Sequence, residues 1–123
     1  MILPNISENL NHIFEDPCRS SIMLSFLKTM APVSLRWDSI QNNLKQLAAI
    51  EELPLKDIKA STLVIQGKHD ADVRPEHAEY ALSTITGAQA MWVEDGFHIL
   101  PLSDFHKEIV KRRLDFLNEH APH

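Results

Sequence analysis

The hydrophobic pattern of the chain changes period near Pro54. Ahead of it, apolar residues recur every three or four positions, which is the spacing of one helical face. Ile6, Leu10, Ile13 and Phe14 share such a face in a first predicted helix. Asp16-Pro17 then predicts a helix start, because aspartate caps free amides and proline suits the first helical position. The apolar stripe of this second helix is Cys18, Ile22, Phe26 and Met30, flanked by Met23 and Leu27, and Pro32 stops it. Ser34 is placed to cap a third helix with Trp37, Ile40, Leu44 and Leu47 as its stripe and Pro54 as its close.

Beyond Pro54 the pattern shortens. Thr62-Leu63-Val64-Ile65 is a continuous apolar run bounded by Gly67 and the polar turn Lys68-His69-Asp70, as expected of a parallel strand buried on both faces. Pro75-Glu76 opens a helix running to about Ile85, with Ala78, Ala81, Leu82 and Ile85 inward and Gly87 as its C-cap. Ala90-Met91-Trp92-Val93 is a second strand, broken by Asp95-Gly96. Ser103 is expected to cap a last helix whose buried stripe is Phe105, Ile109, Leu114 and Leu117. A strand, a crossover helix and a strand imply parallel neighbours and a right-handed crossover. The expected fold class is α/β: a helical segment over residues 1–53, then a β-α-β-α part over residues 54–123. Two parallel strands are too few for a sheet covered on both faces, so further strands are expected to come from outside this sequence.

Composition narrows the function classes. A length of 123 residues suits one compact domain, and no apolar run approaches the roughly 18 residues that span a bilayer. The formal net charge of -5 speaks against a nucleic-acid partner, which calls for a basic surface. Cys18 is the single cysteine, so no intrachain disulfide forms; it reads as a small apolar filler. Met1-Ile2-Leu3-Pro4-Asn5 shows neither a basic region nor an apolar core of a secretory leader. Together these features predict a cytoplasmic location.

Chemistry gathers where the strands end. In parallel sheets, functional groups collect past the carboxyl ends of the strands. The first strand runs into Gly67-Lys68-His69-Asp70 and the second into Gly96-Phe97-His98, so a carboxylate and an imidazole leave adjacent strands at one edge. A carboxylate that accepts a hydrogen bond from one imidazole nitrogen fixes the tautomer and leaves the other nitrogen as a general base.

The stretch Ser61-Thr62-Leu63-Val64-Ile65-Gln66-Gly67-Lys68-His69-Asp70-Ala71-Asp72-Val73 resembles the α/β-hydrolase segment that carries the triad acid: an apolar strand, G-x-x-D, then x-x-V-P. Gly96-Phe97-His98-Ile99-Leu100-Pro101-Leu102 resembles the segment carrying the triad histidine, and Asp115-Phe116-Leu117 the end of that family's last helix. The departures are small: Ser61 stands where proline is frequent, Arg74 precedes Pro75, and Phe97 separates Gly96 from His98. The resemblance implies a C-terminal half of an α/β-hydrolase fold, with residues 1–53 as helices of the lid. It implies Asp70 as the triad acid and His98 as the base of a serine hydrolase acting on carboxylic esters or related acyl bonds, with no organic cofactor and no metal. The family's nucleophile elbow, G-x-S-x-G, does not occur: Gly67, Gly87 and Gly96 are the only glycines, and no serine lies between two of them at that spacing. The chain alone is therefore expected to be inactive.

Plainer readings stand beside this one. Asp70 could cap a turn and His98 could simply end a strand. Asp72 is the rival acid, set behind Asp70 by the G-x-x-D spacing. His69, Asp70, Asp72 and His77 show no recognised metal-ligand spacing. His69, His77, His106, His120 and His123 read as solvated, Lys111-Arg112-Arg113 as a wet helix face, and Trp37 and Trp92 as packing residues. The alternative function is a fragment that acts as a binding or assembly module, or has no function of its own. Its expected partners are a missing N-terminal half or a second copy met through the exposed sheet edge.

Overall fold

The computed structural model describes residues 6–121, with side chains from residue 10 onward. The leader reading of Met1 to Asn5, the side chain of Ile6 and the reading of His123 lie outside the described residues. The chain divides into two compact units, the first ending at Leu53 and the second beginning at Pro54.

The first unit is helical: α1 (Ile6–Glu15), α2 (Pro17–Met30) and α3 (Trp37–Ala48), with a short 3-10 turn over Val33–Arg36. The α2 start follows the sequence, since Asp16 Oδ1 accepts from the amides of Cys18 at 2.7 Å and Arg19 at 3.4 Å. The start of α3 does not. Ser34 lies inside the 3-10 turn, and Arg36 occupies the cap position without a side-chain hydrogen bond. Nor does Pro54 close this helix, which ends at Ala48. α1 packs on α2, yet no described residue of this unit is buried. Cys18 is exposed, not a core filler, and Trp37 is likewise exposed.

The second unit holds the sheet. β1 (Leu63–Gly67) and β2 (Gln89–Val93) pair in parallel, Leu63 opposite Gln89 through Gly67 opposite Val93. α4 (Pro75–Thr84) makes the crossover, and α5 (His106–Glu119) closes the unit. Both helices pack against β1. The core is Ala78, Ile85, Val93, Ile109 and Phe116. β1 is not buried on both faces as its apolar run predicts: Leu63, Val64 and Ile65 are half-buried, and burial is complete only at Gln66 and Gly67. With two strands, the sheet has open flanks among the described residues.

Several boundaries shift for local reasons. Ile85 caps α4, its amide bonded to the Ala81 carbonyl, while Gly87 sits two residues on with φ of 75°, in the turn that feeds β2. In α5 the buried face is Ile109 and Phe116, two full turns apart. Phe105 is half out at 42% exposure, and Leu114 and Leu117 point to solvent at 55% and 61%, because they lie on a different face of the helix from Ile109. Arg112 is half-buried, hydrogen-bonded to Gln89 and laid over the Phe116 ring, so the wet face is Lys111 and Arg113. His120 is no bare tail residue: its Nδ1–H reaches the Phe116 carbonyl at 2.8 Å and its ring stacks on Phe116. His106 is half-buried. No helix among the described residues is long and apolar enough to cross a membrane.

Candidate active site at the strand ends

Two glycines bring the loops together. A Cβ at Gly67 would collide with the Gly96 carbonyl, and one at Gly96 would lie 2.8 Å from the Gly67 Cα. Only a hydrogen on each Cα permits this approach. Past the strands the backbone pairing continues, with the Lys68 amide donating to the Val93 carbonyl at 3.0 Å and the His69 amide to the Gly96 carbonyl at 2.9 Å. The loop carrying Asp70 is thereby fixed to the loop carrying His98.

Asp70 is held from two sides. Its Oδ1 accepts from the amides of Asp72 and Val73, both at 2.9 Å. Its Oδ2 faces His98 Nδ1 at 3.2 Å. The carboxylate is 8% exposed, whereas the imidazole is 54% exposed. Burial works against the charged carboxylate. The hydrogen bonds from the Val73 amide, the His98 ring and the Asp72 amide, together with the charge of a protonated imidazole, outweigh it and hold Asp70 below its ordinary value of 3.8. An ionised carboxylate only accepts hydrogen bonds, so the proton of a neutral His98 ring sits on Nδ1. Nε2 then carries the free lone pair, and it takes no hydrogen bond from the described residues.

The loop carrying His98 has its own brace. Ser103 is buried, its hydroxyl donating to Asp95 Oδ1 at 2.6 Å and accepting from the Phe105 amide at 3.0 Å. Asp95 Oδ2 accepts from the Asp104 amide at 2.8 Å. Ser103 thus ties a turn ahead of α5, where Phe105 is the cap residue, and its hydroxyl is committed to Asp95.

Of the other candidates, Asp72 is exposed and gives its backbone amide to Asp70. Its carboxylate, with Asp70 and His98, forms a group of three donors within 4.8 Å of one another that has the ligand types for a metal ion. Asp70 spends one oxygen on two amides and turns the other to the imidazole, which is the pattern of a hydrogen-bonded pair. His69 and His77 are exposed, and the His69 ring lies 5.7 Å from Phe97 beside the pair. Lys68 and Glu94, the residues just after the two strands, form an exposed ion pair at 2.5 Å.

The chain is similar to a solved structure, an alpha/beta hydrolase fold protein from Nakamurella multipartita, with a TM-score of 0.76 and 27% identity over 91% of this chain. By its fold the chain belongs to the α/β-hydrolase superfamily. It spans 39% of the structure it matches, so an α/β-hydrolase of that length holds much that has no counterpart here. No family model and no curated protein matches the sequence.

Gln66, Asp95 and the meeting of Gly67 with Gly96 were not marked as site residues by the sequence. For the first, the available signal is a glutamine directly after the apolar run Leu63 to Ile65, within what the structure shows to be β1. The others depend on which loops meet, which a linear pattern does not carry.

Proposed function

We propose that Asp70 and His98 are the acid and base of a serine-hydrolase triad that cleaves carboxylic esters or related acyl bonds, with the nucleophile supplied by a G-x-S-x-G segment from outside this sequence. The 3.2 Å contact between Asp70 Oδ2 and His98 Nδ1 carries this reading, because it leaves Nε2 as a directed base. In the reaction Nε2 takes the proton of the serine hydroxyl as its oxygen attacks the acyl carbon. The imidazolium so formed is stabilised by Asp70 and returns the proton to the departing alcohol. A water molecule, deprotonated by the same nitrogen, then releases the acid and restores the serine. The helices of the first unit are assigned on resemblance to the family's lid.

The test uses p-nitrophenyl acetate and butyrate. The purified chain alone should turn them over no faster than its His98→Ala variant. Joined behind the nucleophile-bearing N-terminal segment of an α/β-hydrolase, it should gain turnover and label with a fluorophosphonate. Asp70→Asn should then lower the rate by about ten-thousandfold, and His98→Ala by on the order of a millionfold. Turnover by the chain alone that needs His98 and yields to a serine-directed inhibitor would reveal a nucleophile within these residues. A joined enzyme indifferent to His98→Ala would remove the base assignment.

A second reading, an assembly module, is favoured by one observation. Leu24, Leu27, Leu44 and Leu47 of α2 and α3 and Val110, Leu114 and Leu117 of α5 are all more than 45% exposed, which asks for a covering surface. Sedimentation of the purified chain separates the two: a monomer at high concentration speaks against self-association.

A further inference from the structure

We propose that Gln66 is a positioning residue for the acid–base pair, its side-chain amide clamping both ends of the turn that presents Asp70 to His98. The proposal deepens the triad reading and concerns the same site.

A glutamine at the end of an apolar strand is an expensive choice unless its amide is fully bonded. Gln66 is 7% exposed. Its Nε2 donates to the Gly67 carbonyl at 3.0 Å and to the Val73 carbonyl at 2.8 Å. Both acceptors are carbonyls, so only the NH2 end of the side chain satisfies them, and the orientation of the amide is fixed by chemistry. The two carbonyls belong to the first and last residues of the acid turn. Val73 is consequently gripped on both sides, its carbonyl by Gln66 and its amide by Asp70 Oδ1. A path of three hydrogen bonds runs from Gln66 through Val73 and Asp70 to His98 Nδ1. Without the clamp, Val73 is held only through its amide, the bond from that amide to Oδ1 is free to loosen, and Oδ2 loses its fixed direction toward the ring. Such supporting contacts decide whether a site is held to the tolerance its chemistry needs.

The readout is the tautomer of His98, observed by long-range proton–nitrogen NMR correlation on the full chain at about pH 9, where an ordinary imidazole is neutral. In the parent chain the Nδ1–H form should dominate. Asp70→Asn is the reference for a lost acid and should shift the ratio toward Nε2–H by about tenfold, the loss of one charge-assisted hydrogen bond. Gln66→Met, which keeps the length and removes both donors, should shift it in the same direction, while the β1–β2 amide signals keep their pattern. A merely structural glutamine would lower stability and leave the tautomer unchanged. A parent tautomer after Gln66→Met, with a shift after Asp70→Asn, overturns the clamp and keeps the acid–base pair. No shift after Asp70→Asn overturns the pair itself. Should Gln66→Met fail to fold, the parent chain decides: the Gln66 carboxamide protons must exchange slowly and show contacts to Gly67 and Val73, and rapid exchange like that of a free glutamine overturns the proposal.

Discussion

The two units use the same kinds of residue to opposite ends. In the second, a few apolar side chains of β2, α4 and α5, with Ile85 at the end of α4, are buried, both helices packing against β1. In the first, the apolar positions of α2 and α3 include no buried residue. The difference lies in closure. A strand, a crossover helix and a second strand fold back on each other and supply their own covering, whereas a helical stripe only states a need for one. Amphipathic periodicity thus locates a helix without telling what lies against it.

The largest test of that contrast is truncation. Phe116→Ala should cost about 3–5 kcal/mol, while Leu44→Ala and Leu47→Ala should stay within about 0.5 kcal/mol. Trp37 lies in the first unit and Trp92 in the second, so urea unfolding of Trp37→Phe and Trp92→Phe backgrounds reads each unit separately. A large loss at Leu44 or Leu47 would mean that the α3 stripe is covered in solution, and the contrast would collapse.

Next comes the glycine contact. Gly67→Ala drives a methyl into the Gly96 backbone and should cost about 1–3 kcal/mol as overpacking. Gly87→Ala meets open space but must adopt a φ of 75°, for a cost of about 1–2 kcal/mol. The stability losses are similar and the site tells them apart: only Gly67→Ala should disturb the His98 resonances. Equal disturbance by both would show that the strand ends are not the organising feature.

In the first unit the corresponding fixed point is the Asp16 cap. Asp16→Ala should lose about 1 kcal/mol, seen as faster amide exchange at Cys18 and Arg19 with the second unit untouched. The smallest effect is one of pH. Asp70 titrates lower folded than unfolded, so its contribution to stability is complete above the unfolded value near 3.8 and is lost as pH falls through the folded one. Acid unfolding monitored at Trp92 should show this loss below about pH 4 in the parent, and Asp70→Asn should lack it. A parent and variant with parallel acid profiles would detach the carboxylate from the folded state.

The element types, the parallel β-α-β order and both members of the pair were legible because each rests on local information. The apolar run at Leu63 to Ile65, the cap at Asp16-Pro17 and the G-x-x-D spacing all lie within a few residues. What the sequence misplaced depends on partners at a distance. Leu114 and Leu117 fit a helical stripe as well as Phe116 does, and only the position of the sheet decides which face is inward. Ser34 had the chemistry of a cap, but the 3-10 turn at Val33–Arg36 moved the helix start past it. Gln66 carried no sequence signal of its role, because its two acceptors lie around a turn, one of them seven residues on.

The parallel pairing of β1 with β2 also sets an order of events during synthesis. Leu63 pairs with Gln89, a contact that forms only once the whole crossover exists, so neither loop is held until β2 has emerged. Asp70 leaves the ribosome 28 residues ahead of His98, an interval of roughly 1–6 s at ordinary elongation rates. During that interval Asp70 has no imidazole to meet. The pair therefore comes into being in one step with the sheet, late and non-locally, as topology-limited folding requires.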